Sequence, residues 1–154
     1  MARIFIDTTK TNVGTGTFDT PYNYFDPIML ANQAEVFITS TSVIPAFTLT
    51  NANQLGSSII GYDSAAYETY WGDDTYPEST LGPIINGFNV DYSINFSTFT
   101  AAAPLMVLKN LQLLNWNIAP YSVSSTELEI DNVTTFDNVL KYAYGWKYVV
   151  IKAV

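Results

Sequence analysis

The sequence predicts an all-β chain: an antiparallel β-sandwich forming a single domain over residues 1–154. Three observations carry that expectation. Apolar and polar residues alternate along short runs, the signature of half-buried strands. Turn-forming residues separate those runs at Gly14-Thr15-Gly16, Asn51-Ala52-Asn53, Gly72-Asp73-Asp74, Leu81-Gly82-Pro83 and Asn86-Gly87. The length fits one domain, and no linker, charge block or internal repeat divides it. Many short strands punctuated this way point to a sandwich or barrel.

Taken in order, Arg3–Ile6 reads as the first strand. Pro27–Gln33 fits a short helical turn or the start of a strand. Glu35–Thr39 alternates through Val36 and Ile38, and Val43–Thr50 follows, with Pro45 unsuited to an interior, fully paired position. Ser57–Tyr62 is the next strand. The clearest alternation is Phe88, Val90, Tyr92, Ile94 and Phe96, whose aromatic-rich face is expected in the core. Pro104–Leu114 reads as a strand with Leu111 and Leu113 on one face. A helix is the alternative there, because proline suits a first helical turn, but helical spacing leaves no clean polar face. Thr126–Ile130 is a further strand. The last runs from about Lys141 to Lys152, with Tyr144, Trp146, Tyr148 and Val150 on one face and apolar residues also on the other, as when both faces are covered.

Composition excludes several functions. From Thr11 through Leu108 there is no lysine, arginine or histidine, against nine acids, and the whole chain carries a net charge of −8. Such a surface cannot neutralise a phosphate backbone, so direct nucleic-acid binding is not expected. Without His or Cys there is no Ser–His–Asp or Cys–His pair and no histidine- or thiolate-bound metal. Paired carboxylates from among Asp63, Glu68, Asp73, Asp74 and Glu78 are the remaining route to hydrolysis; the expectation is that the chain is not an enzyme. No apolar window approaches a membrane span, and no signal peptide is visible. Synthesis in a host cytoplasm without export is the expected localisation.

Only 13% of residues are charged while 15% are aromatic, and Asn, Thr and Ser fill the difference. Charge depletion with aromatic enrichment suits broad protein–protein contact. The densest feature is Gly61–Ser79, where Tyr62, Tyr67, Tyr70, Trp71 and Tyr76 interleave with carboxylates that include Asp73 and Asp74. Those seven residues form the candidate interaction surface, because rigid amphipathic rings give contact area at low entropic cost. Core packing with an acidic rim is the competing reading. No cofactor is expected; Ca²⁺ held by the carboxylates is the one metal considered. Lys141, Lys147 and Lys152 are too dispersed for a nucleic-acid patch and are expected to meet the acidic middle of a neighbouring copy.

The segment Asn32–Asn51, reading NQAEVFITSTSVIPAFTLTN, resembles a stretch of small single jelly-roll virion proteins of the capsid, penton and spike-base type. In these a Glu-containing alternating strand enters an Ile-Pro-x-Phe turn, here Ile44-Pro45-Ala46-Phe47. The resemblance implies a jelly roll and a place in a virus or phage particle. The absence of a basic N-terminal arm implies no contact with a packaged genome. The expected function is therefore a non-enzymatic virion structural protein, a capsid, vertex or head-decoration subunit that assembles with copies of itself or other virion proteins. The alternative is a carbohydrate- or receptor-binding β-sandwich module using the loop at 61–79. The strand containing Pro45 and the Tyr62–Tyr76 region are the expected contact surfaces.

Overall fold

The computed structural model describes residues 2–54, 56–63, 82–86, 94–96, 106–114, 127–136 and 148–151. They contain ten strands. The first five are β1 (Arg3–Ile6), β2 (Glu35–Thr39), β3 (Val43–Pro45), β4 (Phe47–Leu49) and β5 (Ser58–Tyr62). The others are β6 (Ile84–Asn86), β7 (Ile94–Phe96), β8 (Met106–Leu114), β9 (Glu127–Phe136) and β10 (Tyr148–Ile151). Helical structure is confined to 3₁₀ turns at Pro27–Met29 and Ala52–Gln54.

Every pairing among these strands is parallel, which overturns the expected antiparallel, jelly-roll-like sandwich. The strands form one curled sheet plus a small β4–β7 pair. The chain path explains the curl. β2, β3 and β4 follow one another and lie on three successive faces; β5 then returns beside β2, β6 beside β3 and β7 beside β4. β8 covers two faces in one run, pairing with β5 through Val107–Lys109 and with β6 through Gln112–Leu114. β9 stacks on β8 along both, and β10 on β9. Each circuit is thus a rung laid in register on the one before, as in a solenoid. From Val107 to Glu129 to Val150 the period is about 20 residues, within the solenoid range.

The expectation failed for an identifiable physical reason. Parallel neighbours need a crossover of a dozen or more residues, usually a helix, and helical segments are nearly absent here. The crossover is supplied by the strands of the other faces. Parallel sheets also usually read as continuous apolar runs because both sides are covered. In β3 and β4 one side faces the shared interior and the other faces solvent, so burial alternates as in antiparallel strands, whereas β2 and β5 are covered on both sides. Alternation reports burial, not strand direction.

The interior is an aliphatic column. Ile4 lies in register with Val36, Val36 with Ile59, and Ile59 with Leu108. Val36, Ile59 and Leu108 are fully buried, with Ile38, Ile44, Leu49, Ile85 and Leu113 in the same cluster. Rungs ~4.8 Å apart stack identical side-chain positions directly over one another, which favours stiff β-branched residues.

One end of the column is plugged. Tyr22, Phe25 and Met29 pack against the core, Leu30 is fully buried within it, and the Phe25 and Phe47 rings lie 4.9 Å apart. The same segment closes the outer edge of β1: Phe5 N–H donates to Gly16 O, Tyr22 N–H to Phe5 O, and Asp7 N–H to Tyr22 O, at 2.8–2.9 Å. Gly16 permits this approach, with φ 81° and no room for a Cβ, which would lie 2.3 Å from the Tyr22 ring.

The other sequence-derived elements fall as follows. Pro27–Gln33 contains a 3₁₀ turn, capped by the Asp26 carboxylate accepting from Ile28 N–H at 3.0 Å. Pro104–Leu114 contains strand β8, and Val43–Thr50 divides into β3 and β4 at Ala46. Of the two runs assigned to the core, only Ile94–Phe96 and Tyr148–Ile151 lie among the described residues, where Ile94 is fully buried.

Candidate functional site

The corner between the first two faces organises the polar chemistry. β8 turns there at Asn110, fully buried with φ 54°. Asparagine tolerates this left-handed backbone better than most residues. Its Nδ2 donates to Gly61 O in the preceding rung at 3.2 Å. Gly61 and Gly82 both crowd this corner: a Cβ on either would lie 1.9 or 1.6 Å from the Asn110 carbonyl oxygen. Gln112 adds a second tie, its Nε2 donating to Gly82 O at 2.5 Å and its backbone N–H to Pro83 O at 2.8 Å. Residues 61–63 and 82–83, which flank the predicted aromatic and acidic stretch in sequence, therefore meet at this corner.

Of the candidate interaction surface, Tyr62 is described, and it is not on the surface. It is 1% exposed, packed edge-on to Phe37 at 6.0 Å and to Phe5 at 5.7 Å. Phe5 and Phe37, in register on β1 and β2, stack at 5.1 Å with 16° between planes, and Phe18 closes on Phe5 from the cap. Tyr62 is thus part of a buried aromatic cluster. Tyr67, Tyr70, Trp71, Asp73, Asp74 and Tyr76 lie outside the described residues, as do Glu68 and Glu78, so the Ca²⁺ and paired-carboxylate expectations fall there too. Asp63 is described and exposed. Among the described residues no three His, Cys, Asp or Glu side chains gather where they could hold a metal ion. No helix among them is long and apolar enough to cross a membrane.

The cations among the described residues are paired inside the chain. Arg3 Nε meets Glu35 Oε1 at 3.3 Å, across the register pair Arg3–Glu35. Lys109 meets Asp131 at 3.7 Å, also across a register pair, and Lys10 meets Asp7 at 3.9 Å. The acidic stretch thus finds part of its neutralisation in adjacent rungs of the same molecule. Lys141, Lys147 and Lys152 lie outside the described residues. The pairing was legible: Leu108-Lys109-Asn110-Leu111 and Ile130-Asp131-Asn132-Val133 share one pattern of aliphatic, charged, Asn, aliphatic, and β8 and β9 stack with these positions aligned. The two copies carry charges of opposite sign, so composition does not mark them as a repeat.

The strand containing Pro45 ends the second face. Ile84 N–H donates to Ser42 O and Ala46 N–H to Asn86 O, so the parallel ladder turns positions 43 and 45 away from β6. Val43 N–H is taken by Thr8 Oγ1 at 3.1 Å, and position 45 is proline with no N–H to offer. The edge presents no free amide to an incoming strand, a recognised defence against sheet extension. What it presents instead is side chain: Val43 is 50% exposed, and Pro45 is also exposed. Compared with known protein families, curated proteins and solved structures, the chain matches none.

Proposed function

We propose that this chain is a non-enzymatic structural protein of a virus or phage particle, working by side-chain contact with copies of itself or with other particle proteins. The observation that carries the proposal is the blunted edge of β3, with Val43 and Pro45 displayed beside amides already occupied. A surface of that kind supports lateral packing while suppressing strand addition, and a subunit held at high local concentration requires both. The neutral, aromatic-rich composition supports the same reading. So does the use of Arg3, Lys109, Asn110 and Gln112 to join rungs.

The test is solution mass by light scattering across a wide concentration range, for the native chain and for Val43→Asp. Growth to a defined oligomer that Val43→Asp abolishes, with an unchanged unfolding midpoint, is expected. A native chain that stays monomeric throughout overturns assembly with copies of itself.

A second reading is supported by the meeting at Asn110 of residues 61–63 and 82–83, which flank 64–81 in sequence. Long excursions held on a rigid scaffold are commonly binding loops. Tyr67, Tyr70, Trp71 and Tyr76 would stack on a glycan or receptor, with Asp73 and Asp74 accepting hydroxyls. Trp71→Ala should then abolish glycan retention with the fold intact; unchanged retention overturns this reading.

A further inference from the structure

A cavity of about 410 Å³ lies between the N-terminal cap and the turn that follows β4. Its volume is within the range of small-molecule sites, about 300–1,000 Å³. One wall is Asp26, Pro27 and Ile28; the other is Thr48, Thr50 and Asn53. Gln54 joins the two. Its Oε1 accepts from Thr50 N–H at 2.9 Å and Asn51 N–H at 2.8 Å, and its Nε2 donates to Pro27 O at 2.6 Å. Gln54 is 5% exposed, so the walls are tied by a buried amide whose bonding capacity is engaged on both sides.

The lining chemistry is specific. Thr48, Thr50 and Asn53 are exposed and bring hydroxyl and amide groups that both donate and accept. Asp26 commits Oδ1 to the Ile28 N–H and is exposed, so its carboxylate keeps capacity to accept hydroxyl protons. Among the described lining residues there is no cation to attract phosphate or carboxylate, and Asp26 together with the net charge of −8 repels both. A flat apolar ligand would leave the threonine and asparagine groups unpaired, which is costly. Pro27 and Ile28, the latter 72% exposed, add a small apolar ledge. A ligand with a hydroxyl rim and an aliphatic C–H face satisfies every part of this lining.

We propose that this cavity is a binding site for a neutral saccharide unit, held by Asp26, Thr48, Thr50 and Asn53 with its C–H face on Pro27 and Ile28. The residues named here lie outside 64–81, and the site does not depend on the structural role proposed above. With few contacts and a half-open cavity, affinity in the region of millimolar Kd is expected, about −4 kcal/mol.

The experiment is titration of the full ¹⁵N-labelled chain with methyl glycosides of glucose, galactose, mannose and N-acetylglucosamine, and with choline as a cationic control. Saturable shifts confined to amides of residues 26–31 and 48–54 with at least one glycoside are expected. Thr50→Val keeps shape and removes the hydroxyl; Asp26→Asn keeps the cap, since Asn caps as well as Asp, and removes the charge. Each should weaken binding several-fold without lowering the unfolding midpoint, while Trp71→Ala leaves these shifts intact. Absence of shifts at these amides with all four glycosides overturns the proposal. So does a response to choline alone, or glycoside binding that Thr50→Val and Asp26→Asn leave unchanged.

Discussion

The two sides of the first face, carried by the same strands, obey different rules. On the inside, Ile4, Val36, Ile59 and Leu108 remain aliphatic from rung to rung. On the outside, the neighbouring column runs Phe5, Phe37, Ile60, Lys109 and Asp131, passing from stacked rings to an ion pair. The inside is constrained by every rung at once, because its side chains share one interior. The outside is constrained locally, by whatever lies over each rung: Phe18 and Tyr62 over the rings, partial solvent over Lys109 and Asp131. Parallel stacking therefore imposes uniformity on one side and leaves the other free to specialise.

The contrast breaks first on the inside. Ile59→Ala should cost about 2–5 kcal/mol, the range for truncating a fully buried aliphatic residue. Urea unfolding monitored by circular dichroism measures it; a loss under about 1 kcal/mol would mean the column is not the core. Asn110→Ala comes next, at about 1–3 kcal/mol, because the Gly61 carbonyl loses its partner in a buried place. Asn110→Gly retains the left-handed backbone and separates that loss from strain. If the two variants are equally unstable, the amide and not the backbone governs the corner.

On the outside the effects are smaller and more local. A double-mutant cycle of Phe5→Leu and Phe37→Leu should give a coupling of about 0.5–1.5 kcal/mol for the stacked rings. Near-zero coupling would reduce the cluster to simple burial. Smallest is the exposed ion pair: Arg3→Ala should cost at most about 1 kcal/mol, shrinking further as salt is added. Asp131→Asn should cost more than this, since the Lys109–Asp131 pair is more enclosed, with side chains 25% and 12% exposed. The reverse order would place the stronger electrostatics at the capped end.

Much of the secondary structure was legible. Arg3–Ile6 and Glu35–Thr39 were read at the limits they have in the fold, and Pro45 was read as unsuited to a fully paired strand. These depend on local facts: alternation, β-branching and the missing proline N–H. The candidate surface was legible only as composition. Tyr62 shows why, because an aromatic residue beside carboxylates looks the same whether it faces solvent or Phe37. The saccharide cavity had no sequence signal of its own. Pro27 and Thr50 are joined through Gln54, a contact between segments far apart in the chain that no local pattern records.

By itself the sequence determined the limits of several extended segments and turns, and that the chain has no thiolate or imidazole to offer. Only the tertiary structure decided that neighbouring strands run parallel, that Arg3 and Lys109 find their acids in adjacent rungs, and that Tyr62 is buried. The division follows from range. Backbone preference and the two-residue period act between adjacent residues and are written along the chain. Strand direction and register are chosen by contacts across tens of residues, where shared burial of Ile4, Val36, Ile59 and Leu108 outweighs any local preference.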